Sequence, residues 1–216
     1  MDISNQIKEV IWAFPLLKYS PERNELFGEL YISEFDSYQI RIDLNPYPKF
    51  FPNLYETEER IPNKLDRHIY TDTGSCCLTT RAKAQVLLKT KISSLKIFIK
   101  EIVIPYLQNN SYFEINKRYK TDEYAHHHQG VIDSYKDILK ITDEKLLALT
   151  LNNRLNSPKL KIHHLCYCGS GIIMKKCSNG LHDKAYRDFK LIDKELIYND
   201  LRLHFIPILK QKGFIK

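Results

Sequence analysis

Two stretches of alternating apolar and polar residues constrain the fold of this 216-residue chain most. Residues 25–33 and 37–44 each place their large apolar side chains at every second position, and the second stretch does so with Tyr38, Ile40, Ile42 and Leu44. A period of two is the pattern of a half-buried β-strand. Only the short link 34–36 separates the stretches, so the sequence predicts an antiparallel hairpin.

The residues on either side extend this hairpin into an α+β domain. Residues 3–14 have helical apolar spacing up to Pro15, whose ring disfavours helical geometry in the residue before it. After the hairpin, residues 45–52 hold three prolines and cannot join a central strand, so we expect an ordered loop there. Residues 53–61 predict a third strand. The expected order is an N-terminal helix, an antiparallel meander and then helices.

The rest of the chain predicts helices and a small cysteine-rich module. Apolar spacing predicts a helix over residues 93–107 that breaks at Pro105, and further helix over 120–150, with Thr142 as a cap. A linker is expected at 152–158. The predicted domains are residues 1–150, a module at 160–184 and a C-terminal amphipathic helix at 185–216, which ends near Pro207.

Composition and charge exclude several classes of protein. The chain has no apolar run of about 18 residues, which predicts no membrane span, and its first residues lack a secretion signal, so we expect a cytoplasmic protein. The formal charge is +7, but the lysines are interspersed with acidic residues. This favours solvated faces over a nucleic-acid surface. Five cysteines without an export signal point to catalysis or metal binding rather than to disulfides.

The stretch 68–78, His-Ile-Tyr-Thr-Asp-Thr-Gly-Ser-Cys-Cys-Leu, is the first candidate site. A cysteine that follows Gly74 and Ser75 can meet backbone N–H groups of a turn, which can also receive an oxyanion during acyl transfer. The nearby groups with suitable chemistry are His68, Tyr70 and Asp72, the last as an acid that orients an amine. Free cysteines are also common in cores, so the residues alone leave a structural role for Cys76 and Cys77 open.

The order of these segments resembles that of the ubiquitin-conjugating enzymes. In that family a Tyr-Pro-x-x-x-Pro loop follows the sheet, here Tyr47–Pro52, and the reactive cysteine lies three residues after a glycine and directly before a leucine. Gly74 and Leu78 put that role on Cys77, with Cys76 as the alternate. The resemblance covers about residues 1–135 and implies a ubiquitin-conjugating-enzyme fold.

The bacterial branch of the family is more similar than the eukaryotic one. Its pattern of Ile-Pro, Arg-His with an aromatic residue, and Gly before Cys-Leu is matched from Ile61 to Leu78. Its Glu-x-x-His element is matched at Glu123–His126. Two interpretations of His126 stay open: a proton-transfer residue that lines the site, or part of an exposed histidine run. The His-Pro-Asn of eukaryotic members is absent, because Ile69 and Tyr70 follow His68. Candidates to stabilise the oxyanion are therefore His68, Tyr70 and backbone N–H groups.

The resemblance implies an acyltransferase that carries the C-terminus of another protein as a cysteine thioester and transfers it to a target protein. Stand-alone bacterial members resemble components of anti-phage operons that signal through cyclic oligonucleotides, where the carried protein is a nucleotide cyclase. The chain has no Gly-rich nucleotide loop, so ATP-dependent activation would need a separate activating enzyme. The alternative is a catalytically inactive adaptor that binds protein or nucleic acid. A cysteine peptidase is disfavoured, because no histidine stands on a separate element with an orienting Asn or Asp.

A second cluster lies at residues 163–182. Cys166, Cys168 and Cys177 are three thiols within a short stretch, and His182 is the natural fourth ligand, with His164 second. Thiolates and imidazole at such spacing favour tetrahedral zinc. The stretch resembles the small zinc motif at the tail of the bacterial preprotein translocase motor, which reads Cys-x-Cys-Gly-Ser-Gly, then a basic stretch, then Cys followed directly by His or Cys. This chain departs from the motif at that last position, where Ser178 stands. We expect a structural zinc knuckle rather than catalytic zinc, because no activating carboxylate accompanies it.

Overall fold

The computed structural model describes residues 2–120, 127–157 and 160–214. The chain forms two compact units, Met1–Thr79 with Leu87–Glu123 and Thr80–Val86 with Tyr124–Lys216. The predicted domain boundary after residue 150 falls inside the second unit. The architecture is mixed α+β, as the sequence predicts.

The first unit is built on a four-stranded antiparallel sheet in the order β1-β2-β3-β4. Its strands are β1 (Leu17–Ser20), β2 (Glu25–Ser33), β3 (Asp36–Asp43) and β4 (Asn53–Glu56). The predicted hairpin is β2–β3, in which Leu26 lies opposite Ile42 and Leu30 opposite Tyr38. The sequence prediction missed β1, and the strand predicted over 53–61 is shorter than expected. Both edge strands are four residues long, too short for a period of two to stand out.

Helices cover the apolar face of this sheet. Helix α1 (Ile3–Ala13) packs against β1 and against α3 (Leu95–Phe98). Buried Gln6 links these parts, because its side-chain oxygen accepts hydrogen bonds from the Leu95 amide at 2.9 Å and from the Tyr47 hydroxyl at 2.9 Å. The peptide bond between Tyr47 and Pro48 is cis. The proline-rich loop is therefore fixed to α1.

The prediction that Pro105 ends its helix is wrong. Helix α3 continues through a π-helical turn, Ile99–Val103, into α4 (Ile104–Asn116), with Pro105 in the first turn of α4. Proline lacks an N–H and its ring clashes with the carbonyl four residues earlier in a regular helix. In a π turn each backbone hydrogen bond spans one residue more than in an α-helix. The helix can therefore continue through Pro105 without needing an N–H from the proline.

Within its described residues, the second unit consists of helices and a small cysteine-rich loop. Its helices are α5 (His127–Leu139), α6 (Glu144–Asn156), α7 (Leu181–Phe189), α8 (Lys194–Asp200) and α9 (Ile206–Gln211), with α2 (Arg81–Thr90) shared between the units. Their core includes Tyr135, Leu147, Phe189 and Phe205, all fully buried.

Several sequence expectations for this unit are corrected. Asp143 rather than Thr142 caps α6, because its carboxylate accepts the Leu146 amide at 3.0 Å. The expected linker over 152–158 is helical up to Asn156. The C-terminal region forms α7 and then a second helix, which runs from α8 through another π turn, Leu201–Phe205, into α9. Pro207 again follows a π turn, and the helix continues past it to Gln211.

Candidate active site and metal centre

The cysteine loop is a small hairpin in the first unit. Ile69 and Cys76 form an antiparallel bridge. On either side of it, the Cys77 amide donates to the His68 carbonyl at 2.7 Å and the Tyr70 amide donates to the Ser75 carbonyl at 2.9 Å. Gly74 has a φ of +71°, which glycine adopts at little cost, and closes the turn. The backbone around Cys77 is therefore fixed.

The two adjacent cysteines have opposite environments, because successive side chains in extended backbone point to opposite sides. Cys76 is 6% exposed, and burial raises the pKa of its thiol to about 12. Cys77 is only partly buried, and its thiol donates to the Tyr70 hydroxyl oxygen at 3.2 Å. The thiolate is the nucleophilic form. Cys77 is thus the member of the pair whose sulfur is accessible from solvent.

The other predicted residues of this site take different positions. Tyr70 is 43% exposed and contacts the Cys77 sulfur. His68 is buried in a left-handed conformation with a φ of +53°, and its ring packs edge-on against Tyr119, with centroids 5.3 Å apart. Asp72 lies exposed on the turn 71–73. His126 and the predicted Glu-x-x-His element lie outside the described residues.

Sequence reasoning missed Tyr106 on α4. Its hydroxyl donates to the His68 carbonyl at 2.9 Å, the same carbonyl that accepts the Cys77 amide, and its side chain lies near the Cys76 thiol. A buried tyrosine hydroxyl needs a hydrogen-bond partner, so a tyrosine in a stretch of apolar residues is the one signal that the sequence offers. Which partner it finds depends on contacts between residues almost forty positions apart.

The second cluster brings together four predicted ligands. Cys166, Cys168, Cys177 and His182 place one sulfur or nitrogen atom each within 4.8 Å of all the others, so they can hold a metal ion. His182 Nδ1 lies 3.4 Å from the Cys166 sulfur and 3.2 Å from the Cys177 sulfur. The alternative ligand His164 is exposed, and its Nδ1 accepts from the Lys161 amide at 3.5 Å.

Two glycines set the shape of the loop around the cluster. Gly169 and Gly171 have φ values of +77° and +73°, which let the backbone turn sharply between the cysteines. The Cys166 amide then donates to the Ile172 carbonyl at 2.9 Å, and Leu165 pairs with Ile173. This short hairpin presents Cys166 and Cys168 toward Cys177, which follows directly.

The polar surroundings suit a metal ligand set. The second nitrogen of His182, Nε2, lies 3.2 Å from the Lys140 carbonyl at the end of α5, which fixes the ring orientation and leaves Nδ1 for the thiols. Burial opposes ionisation of Cys168, but hydrogen bonds from Ser170 and the neighbouring thiols outweigh it and lower the pKa of its thiol to about 6. Burial raises the pKa of Cys166 to about 12. Three thiols and an imidazole form a donor set typical of structural zinc.

Comparison with known proteins gives no relative to argue from. No family model, no curated protein and no solved structure matches the chain. Across residues 2–120, 127–157 and 160–214, no helix has the length and apolar character needed to cross a membrane.

Proposed function

We propose that this chain is a ubiquitin-conjugating-like acyltransferase that carries a protein C-terminus as a thioester on Cys77. The observation that supports this best is the contrast between the two cysteines. Cys77 is partly exposed on a fixed loop with the Tyr70 hydroxyl 3.2 Å from its sulfur, while Cys76 is buried with a raised pKa. A nucleophile needs access and a positioned polar neighbour, and only Cys77 has both.

The reaction has two steps. The Cys77 thiolate attacks the activated C-terminal carbonyl of the carried protein, the tetrahedral intermediate expels its leaving group, and a carbon–sulfur bond forms. An amine of the target then attacks the same carbonyl, loses its proton and expels the Cys77 thiolate, so that an amide bond replaces the thioester. The chain needs an activating partner to supply the first leaving group.

Nearby groups supply the polar roles that these steps require. The Tyr70 hydroxyl can donate to the thiolate or to the developing oxyanion, because it already lies within hydrogen-bond distance of the sulfur. Buried His68 holds the Cys77 amide through its carbonyl. Asp72, exposed at the turn, suits an incoming amine. His126 remains the proposed proton-transfer residue.

The architecture supports the same proposal. An N-terminal helix, a four-stranded antiparallel meander, the cysteine loop and then helices follow one another in the first unit. This is the order that the resemblance to ubiquitin-conjugating enzymes implies. The bacterial pattern around Cys77 supports a role in anti-phage defence, with a nucleotide cyclase as the carried protein, in the cytoplasm.

The cluster in the second unit is proposed as a structural zinc knuckle. Cys166, Cys168, Cys177 and His182 would hold the ion, and its role would be to stabilise the loop, since four protein ligands leave no open position for substrate. The exposed Lys175 and Lys176 suit a partner-docking surface.

Intact mass spectrometry tests the function. The chain is co-expressed with its genomic neighbours, and its mass is measured with and without reductant. We expect a protein-sized adduct on Cys77 that thiols release. Cys77→Ser should replace it with an ester that resists thiols, or abolish it, while the matched control Cys76→Ser keeps it. If both variants behave like the parent, the chain is a non-enzymatic adaptor.

A further inference from the structure

Two histidines in the second unit have ring nitrogens within hydrogen-bond distance of each other. His128, in the first turn of α5, and His204, in the π turn Leu201–Phe205, have their Nδ1 atoms 3.0 Å apart. Their ring centroids are 5.1 Å apart, and the ring planes make an angle of 60°. His128 is exposed and His204 is half-buried, so the pair is open to solvent on one side.

Buried contacts hold the two elements in this position. Tyr135 lies two helical turns after His128 and therefore on the same face of α5. Its ring packs on Phe205 with centroids 5.6 Å apart, and its hydroxyl donates to Asp200 at 2.9 Å. The two contacting residues, Asp200 and Phe205, lie on either side of His204 in the sequence. The approach of the two imidazoles is thus set by the core and does not depend on the histidines themselves.

The separation of the nitrogens matches two neighbouring ligands of one metal ion. Imidazole nitrogens bind first-row metals at about 2.0–2.1 Å, so two ligands at a right angle lie about 2.9 Å apart, and two tetrahedral ligands about 3.3 Å apart. The observed 3.0 Å is close to the right-angle value. Square-planar and tetragonal sites with nitrogen ligands are typical of copper(II) and nickel(II).

We propose that His128 and His204 form a second metal site, which binds a divalent ion of the nickel(II) or copper(II) class with water in the remaining positions. The ion replaces the N–H···N hydrogen bond. The ring that donates through Nδ1 changes tautomer, so its proton moves to Nε2 and both Nδ1 atoms bind the ion. By joining α5 to the C-terminal helix, the ion stabilises the second unit through linkage.

Nickel(II) titration tests the site. The zinc-loaded protein is titrated with nickel chloride by calorimetry, with zinc content measured before and after. We expect the parent to bind one nickel ion with its zinc retained, and nickel to raise its Tm. His204→Gln and His128→Gln should each weaken nickel binding by about tenfold or more, since each removes one of two protein ligands. The control His163→Gln, at an exposed histidine of the knuckle, should bind like the parent.

The His204→Gln variant distinguishes a site formed by both histidines from nickel binding by the histidine run alone. Residues 126–128 are three consecutive histidines, which can bind nickel without a fixed partner. If His204→Gln binds nickel as well as the parent, the run alone is the ligand and the proposal is wrong. Absence of nickel binding in the zinc-loaded parent also overturns it. Unchanged circular dichroism and zinc content of the variants without nickel show that any loss is not unfolding.

Discussion

Tyr106 connects α4 to the cysteine loop through one hydroxyl. That hydroxyl donates to the His68 carbonyl at 2.9 Å and lies near the Cys76 thiol. Since the side chain is buried, its polar group has little access to water when the bond is lost. At the scale of single residues, Tyr106 is therefore the group whose loss should loosen the site without touching substrate.

Tyr106→Phe should lower the free energy of unfolding by about 1–2 kcal/mol, the usual cost of a buried hydrogen bond. Local opening of the loop should then speed the alkylation of buried Cys76 by about tenfold. Peptide mass spectrometry after timed iodoacetamide treatment measures this rate. Tyr112→Phe, on the same helix and partly exposed, is the control. Unchanged protection of Cys76 in Tyr106→Phe would show that the hydroxyl does not hold the loop.

Asp200 in the second unit predicts a dependence of stability on pH. The residue is 7% exposed, and burial raises the pKa of its carboxyl to about 6, although the Tyr135 hydrogen bond and the charge of Arg81 oppose this. In the unfolded chain an aspartate has a pKa of about 3.9. The folded state therefore holds this proton more tightly. The contribution of Asp200 to stability is greatest below about pH 4, falls as pH rises to about 6 and is constant above.

Asp200→Asn should remove this dependence and stabilise the protein at pH 7. Asparagine keeps an acceptor for the Tyr135 hydroxyl without a buried charge, and about two pKa units at about 1.4 kcal/mol each set the gain at roughly 2–3 kcal/mol. Urea unfolding at pH 4, 5, 6 and 7 measures it. Asp188→Asn, at a partly exposed carboxylate of α7, should follow the parent at every pH. The same slope in Asp200→Asn as in the parent would assign the dependence to another group.

At the scale of elements, the pairing of β1 with β2 depends on Gly28. Leu17 lies opposite Gly28, which has a φ of +132°. A Cβ at this position would lie 2.3 Å from the Leu16 carbonyl oxygen. Both the conformation and the contact exclude a larger residue, so the glycine allows the short edge strand to approach.

Gly28→Ala should lower the free energy of unfolding by about 2–4 kcal/mol, because it combines backbone strain with a backbone clash. Gly74→Ala is the matched control in the same unit. Its φ is +71°, but no atom lies within 4 Å of the added Cβ, so its cost should be limited to about 1 kcal/mol. Chemical denaturation of both variants measures the difference. Equal losses would mean that the Leu16 carbonyl can move away.

At the scale of the whole molecule, the described part of the first unit holds the cysteine loop, and that of the second holds the Cys/His cluster and the His128–His204 pair. The knuckle residues Cys166, Cys177 and Met174 belong to the buried cluster of the second unit. Metal binding is therefore coupled to the packing of that unit, since thiolates without a metal are costly to bury.

Removal of the metal should destabilise the second unit. We expect about one zinc ion per chain, and expect that a strong chelator, or Cys177→Ser, lowers the Tm of this unit by about 10 °C or more, equivalent to a few kcal/mol. Metal analysis and calorimetry in parallel measure both quantities. Cys77→Ser should keep its zinc and its Tm. A Tm that does not change when the metal is lost would mean that the cluster has no structural role.

The sequence by itself determined the features that repeat locally. The alternation of apolar and polar residues over 25–44 was sufficient to predict β2 and β3. Successive side chains of a strand point to opposite faces, so the pattern is visible without knowledge of distant contacts. The ligands of the second cluster were also predictable, since three cysteines and a histidine lie within a short stretch. The α+β class follows from the same patterns.

The tertiary structure decided the features that depend on distant residues. The residues alone left both Cys76 and Cys77 open, and only the resemblance preferred Cys77. The tertiary structure distinguishes them, because it buries Cys76 near Tyr106 and leaves Cys77 partly exposed. Pro105 and Pro207 carry the usual signal for the end of a helix, but packing favours a continuous helix with a π turn before each. The meeting of His128 with His204 has no local signal, because their positions are set by a core that forms only when the chain folds.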